Sequence, residues 1–128
     1  MRRPNGFSFI ELLMVFTVVV LLATIAITQV GSVRSRAYVA ALQSDLNDLS
    51  LAQESFYYDY DIYSADVASL SRWGFQASRG SSIQINEATD SGWAATASHA
   101  GTVKICYVFI PGASPVGGAV EPGVIICQ

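Results

Sequence analysis

The chain is poor in charge and in the side chains that carry most enzyme chemistry. Of its 128 residues 13% are charged, one is histidine (His99) and two are cysteine (Cys106 and Cys127). A single histidine with no Cys, Asp or second His at ligand spacing argues against a zinc site. Without a G-x-S-x-G turn it also argues against a Ser-His-Asp hydrolase. There is no G-x-x-x-x-G-K loop to cradle a phosphate and no C-x-x-C-H to attach a haem. Seven basic residues stand against ten acidic ones, for a formal net charge of −3. Beyond Arg2 and Arg3, only Arg34 and Arg36 form a tight basic pair. That distribution argues against general nucleic-acid binding, which needs clustered cations. Taken together, these shortages predict a protein that is not an enzyme and holds no cofactor or metal.

What the chain has instead is apolar surface, 52% by composition, and it is unevenly placed. Leu12 to Ile27 contains only Thr17 and Thr24 as polar interruptions, and no Lys or Arg falls between residues 4 and 33. As a helix, Phe7 to Val30 would extend ~36 Å, enough for a ~30 Å hydrocarbon core. Arg2 and Arg3 precede the run and no acid precedes Glu11, a bias that keeps the N-terminus cytoplasmic. No A-x-A-like site follows the run, so the segment reads as retained rather than cut off. Glu11 is the anomaly, because a carboxylate within an apolar run is costly. Either it sits at the headgroup boundary, solvated, or its partner comes from another molecule.

The stretch Asn5-Gly6-Phe7-Ser8-Phe9-Ile10-Glu11-Leu12-Leu13 resembles the class III leader of type IV pilins and pseudopilins. Those leaders are short and basic and end in Gly; Phe follows, with Glu four residues beyond it. Gly6, Phe7 and Glu11 match all three positions. The resemblance implies that prepilin peptidase cuts between Gly6 and Phe7 and methylates the new amine of Phe7. It also implies that this amine pairs with Glu11 of a neighbouring subunit. Such a pair in an apolar filament core would fix axial register, as a buried polar residue does in a coiled coil. Two family positions differ: Val20 stands where many pilins have Gly, and Thr28 where many have Pro. A product starting at Phe7 would keep five basic and ten acidic residues, a side-chain balance of −5.

From Ser32 to Tyr60 no proline interrupts a second helical half. Leu42, Leu46, Leu49, Gln53, Phe56, Tyr60 and Tyr63 recur by four and three, which predicts one apolar face with Gln53 its polar member. Asp45, Asp48, Ser55 and Asp59 are expected on other faces. Phe7 to Tyr60 thus reads as one helix, apolar all round in its first half and on one side in its second. Ser64 is expected to cap a short helix through Leu70. Trp73-Gly74-Phe75, Arg79-Gly80-Ser81-Ser82, Asp90-Ser91-Gly92 and His99-Ala100-Gly101 read as turns. Strands are predicted around Ile83 and Ile85, over Trp93 to Ser98 and over Val103 to Ile110, with Gly123 to Cys127 a candidate fourth. The fold class is therefore α+β, a long helix packed on a three- to four-stranded antiparallel sheet, which is the architecture the resemblance implies.

Cys106 and Cys127 can form one disulfide if that part of the chain leaves the cytosol, or remain separate thiols. The resemblance implies the bridge, closing a surface loop rich in Pro and Gly. Phe56, Tyr57, Tyr58, Tyr60 and Tyr63 read as packing aromatics. Asp59 and Asp61 are too few for a calcium site of the kind found in some pseudopilins.

The expected organisation is a leader (1–6), a membrane and filament-core helix (7–30) and a surface head (31–128). The implied partners are copies of the same chain in a helical filament, prepilin peptidase, the inner-membrane assembly machinery, and membrane lipid before assembly. The expected location is the bacterial inner membrane, single-pass, followed by an extracellular pilus serving adhesion, motility or DNA uptake. The alternatives are a type II secretion pseudopilin or minor pilin, and a monomeric membrane-anchored binding module.

Overall fold

A computed structural model describes residues 6–128, and the side chains of all of these except 26–29. Arg2, Arg3 and Asn5 of the leader pattern, and the Thr28 side chain, therefore lie outside the described residues. One helix, α1, runs from Phe9 to Tyr60. Four strands follow: β1 (Ser81–Ala88), β2 (Trp93–His99), β3 (Ile105–Phe109) and β4 (Ile126–Cys127). They pair in sequence order as one antiparallel sheet. The short connections 89–92 and 100–104 make β1–β2 and β2–β3 hairpins, while β4 returns beside β3 after the long loop 110–125.

By its internal contacts the chain divides into two compact units, residues 1–34 and 35–128. In the first unit, every described side chain of residues 7–25 is exposed. Thr17 and Thr24 do not break this apolar cylinder. Each hydroxyl donates to the carbonyl three residues back, Met14 at 2.8 Å and Leu21 at 2.7 Å, so neither polar group is left to seek solvent. No single helical stretch among the described residues is long and apolar enough to cross a membrane. Phe9–Ile25 and Val30–Tyr60, taken as a broken pair, satisfy that requirement by length and composition.

The second unit is built on the inner face of α1. Leu42, Leu46, Leu49 and Ala52 are buried against Trp93, Ala95, Ala97, Cys106 and Val108 of the sheet, with Leu70 and Phe75 closing one side. The i, i+4, i+7 spacing puts these helix residues on one stripe. Alanines at the facing strand positions let the helix approach, while Trp93 fills the remaining width. Gln53 is buried because it makes a reciprocal pair with the backbone after the helix. Its Nε2 donates to the Ser64 carbonyl and its Oε1 accepts from the Ser64 N–H, each at 2.8 Å. Asp61, in the left-handed region at φ 55°, turns the chain out of α1.

Four expectations need correction. Asp45 is not on an outer face; it is buried, and its Oδ1 accepts from the Ser78 N–H at 3.0 Å and the Ser78 hydroxyl at 2.7 Å. The Ser64 segment forms no helix there. The Ser64 hydroxyl bonds both backbone groups of Asp66, a local side-chain turn, and the helical turn is a 3₁₀ segment at Ser69–Trp73. Val103 is not a strand residue on the apolar face: β3 starts at Ile105, and Val103 is 97% exposed. The loop after β3, whose Pro and Gly content leads one to expect little core, has a core of its own, since Ala119 packs with Ala94 and Phe109 on the outer face of the sheet, flanked by Tyr107, Ala113 and Val116.

Asp45 supplies a prediction. Its Oδ2 is buried with no hydrogen-bond partner, so the carboxylate stands on the Ser78 contacts alone. Asp45→Ala removes the acceptor from two donors and is expected to destabilise the head by ~1–3 kcal/mol. Asp45→Asn, whose amide oxygen can still accept both, is expected to cost less. Denaturant midpoints of the two variants check the order.

Candidate functional site

The residues singled out by sequence fall in two places. The first is the junction where coil becomes helix. Gly6, Phe7 and Ser8 precede α1, and the Ser8 carbonyl accepts the first helical N–H groups, from Glu11 at 3.0 Å and Leu12 at 3.1 Å. A β-carbon built at Gly6 meets nothing within 4 Å among the described residues, so a side chain at this position would point into open space. Phe7 is 79% exposed. Glu11 lies in the first turn of α1, where the free N–H groups favour a negative charge. It is exposed, and no described residue pairs with it.

What this junction can do follows from its neighbours. Phe9, Ile10, Met14, Phe16 and Leu21 present apolar surface around the helix, each more than 60% exposed. A continuous apolar cylinder of that kind requires cover by lipid or by other helices. Glu11 is the one ionisable group among residues 7–33. Any cover that excludes water must therefore answer its charge.

The second place is the C-terminal loop. Cys106 and Cys127 are joined by a disulfide. They face each other across the β3–β4 pair, with Cα atoms 4.0 Å apart. On one side, Ile105 and Gln128 exchange both backbone hydrogen bonds, at 2.9 and 3.0 Å. The cysteines thus occupy the non-hydrogen-bonded site beside that pair, where antiparallel strands come closest. The loop they close is 21 residues in separation. Replacing both with alanine is expected to lower the stability of the head by ~3 kcal/mol, the loop-closure entropy returned to the unfolded chain. Denaturant unfolding of the oxidised parent and the double variant measures it.

Around the end of α1 the tyrosines divide. Phe56 packs beside the core with Trp73 edge-on at 5.0 Å between ring centroids. Tyr57 stacks on Tyr63 at 4.7 Å, whereas Tyr58 is 86% exposed. Partial burial, with Glu54 accepting from its hydroxyl at 3.1 Å, pushes the Tyr63 phenol up to about 12. Asp59 is occupied by the Trp73 indole N–H at 2.8 Å.

Sequence reasoning missed a second pin between helix and sheet. His99 stacks on Tyr38 at 4.1 Å, and Ser35 and Thr102 share a hydrogen bond of 3.1 Å. The His99 Nδ1 accepts from the Gly101 N–H at 2.8 Å. A signal was available, since Tyr38 stands four residues before Leu42 and continues the apolar stripe.

No family model matches the chain. It is 29% identical over 102 residues to the type IV wide pilus major component PilA4 of Thermus thermophilus, covering 79% of this chain and 78% of that relative. A long helix on a four-stranded antiparallel sheet, preceded by an open Gly-Phe junction and a first-turn glutamate, agrees with that likeness. By sequence likeness and by fold, this chain is similar to the type IV pilins.

Proposed function

We propose that this chain is a filament subunit. Prepilin peptidase removes residues 1–6 and methylates Phe7, and the apolar half of α1 then moves from lipid into the core of a helical homopolymer. The observation that carries this reading is the fully exposed apolar cylinder of residues 7–25 with one carboxylate, Glu11, near its start. The acyl chains of lipid cover such a surface but offer Glu11 no cation, while a second copy covers it and brings the Phe7 amine. The relative's description as the major component of a pilus supports the same role here. On this reading the protein acts as structure and catalyses nothing. The inner membrane holds the precursor, and the extracellular filament holds the product. Adhesion, motility and DNA uptake are uses that such a fibre would serve.

A gold-labelled antibody raised against the disulfide-closed loop tests the proposal. Decoration along the length of surface filaments is expected. Label confined to the cell membrane, with no filament marked, would mean a monomeric anchored module instead.

A further inference from the structure

Where α1 ends, aromatic surface is left uncovered. Phe56, Tyr60 and Trp73 lie ring against ring, with centroids 4.7, 5.0 and 5.8 Å apart, yet Tyr60 is 56% exposed. With the 3₁₀ turn at Ser69–Trp73 these rings wall a cleft of about 580 Å³. Trp73 also lines a second cleft, of about 450 Å³, together with Glu54, Tyr58 and Asp59. Its indole N–H donates to Asp59 at 2.8 Å, which fixes the ring that the two clefts share. Both clefts lie wholly within the unit 35–128. The first cleft is also polar. The hydroxyls of Ser69 and Ser71 are committed to the Asp66 and Ala68 carbonyls, at 2.7 and 2.9 Å. Asp66 accepts the Ala68 N–H on Oδ1 at 3.1 Å. Its Oδ2, the Tyr60 hydroxyl and the whole Arg72 guanidinium have no partner among the described residues.

We propose that the first cleft binds one unit of a neutral oligosaccharide, whose chain continues over Trp73 into the second cleft. The free groups set the chemistry of the ligand. A carboxylate oxygen needs a donor and a guanidinium needs acceptors. Adjacent sugar hydroxyls supply both, since each donates and accepts. The C–H face of the sugar ring covers the aromatic surface now left to water. A wholly apolar ligand would instead bury Asp66 and Arg72 without partners. An anion would suit Arg72 but meet Asp66, and then Glu54 and Asp59 in the second cleft. A cation would suit those carboxylates but meet Arg72. The site goes beyond the filament reading and holds equally for a monomeric anchored module, because only the head contributes to it.

The experiment uses the full-length chain in a detergent without a sugar headgroup. The probes are tetrasaccharides of glucose, galactose, mannose and N-acetylglucosamine, and the readout is acrylamide quenching of tryptophan emission. The chain has two tryptophans, and Trp93 is 0% exposed, so protection by a ligand reports Trp73. At least one of these sugars is expected to protect Trp73 saturably. Its Kd should rise about tenfold in Arg72→Gln, for the loss of charge-assisted hydrogen bonds. Arg72 is exposed, so this variant should keep the parental denaturant midpoint. Tyr58→Ala, in the second cleft, should weaken the tetrasaccharide and leave its monosaccharide unchanged. No saturable protection by any of these sugars would overturn the inference. Protection by tetramethylammonium or by inorganic phosphate in place of the sugars would assign the clefts to a cation or an anion and overturn it. Sugar binding unchanged in Arg72→Gln would put the ligand elsewhere and overturn it likewise.

Discussion

Replacing Gly6 with valine is expected to leave the chain in the membrane at its full length, with the product that begins at Phe7 reduced by about a hundredfold. Gly6 stands in coil, before α1, with open space where a side chain would be. A protease acting there must lay the peptide bond against its own reacting groups. A β-branched side chain on the bond displaces it, and displacement of a reacting centre by about an ångström costs on the order of a hundredfold in rate. Among the described residues nothing lies where the new side chain would go, so the head should unfold at the same denaturant concentration as in the parent. Immunoblots of the membrane fraction separate the two lengths, and a variant cut at the parental rate would mean that Gly6 is not the recognised residue.

The second large effect is expected at Glu11. Glu11→Gln keeps the shape of the side chain and removes its charge. The precursor should still insert, because the apolar run is unchanged, and it should still be cut. Assembly is where the loss appears. If Glu11 answers the Phe7 amine of a neighbour inside a water-free core, removing one partner leaves the other charge buried and unpaired, at a cost of about 3–5 kcal/mol per contact. At 1.4 kcal/mol per tenfold, that is at least a hundredfold in each subunit addition. Sheared filaments should therefore fall below detection while the processed monomer accumulates in the membrane. Filaments at parental yield from the variant would show that Glu11 is merely solvated at the headgroup boundary.

Both predictions start from residues legible in the sequence. The helix and its inner stripe follow from spacing alone: Leu42, Leu46, Leu49 and Gln53 are all buried as their periodicity requires. The stripe fails at Tyr60, which is 56% exposed because α1 stops there and the chain turns away at Asp61. Asp45 was misplaced because hydrophobic periodicity assigns a carboxylate to the outside. Only the tertiary approach of Ser78, which is distant in sequence, makes its burial tolerable. Val103 was misplaced for a related reason. Alternation carried the strand two residues too far toward the N-terminus, past the point where pairing with β2 ends at Ile105. The small core under the C-terminal loop had no sequence signal either. It consists of Ala94, Phe109 and Ala119, and alanines among glycines and prolines read as turn rather than core. At the assembly end, Gly6, Phe7 and Glu11 were legible because they stand together in one short pattern. The cleft beside Trp73 was not, because Asp66 and Arg72 are brought to the rings of Phe56 and Tyr60 only by the fold.

The central claim is that one bond is cut, one amine is modified and the resulting helix is polymerised. The intact mass of the protein sheared from the cell surface tests it most directly. The account predicts a single species starting at Phe7, heavier by one methyl group and lighter by the two hydrogens of the Cys106–Cys127 disulfide. A species still carrying Met1 to Gly6, found only with the membranes, would contradict it.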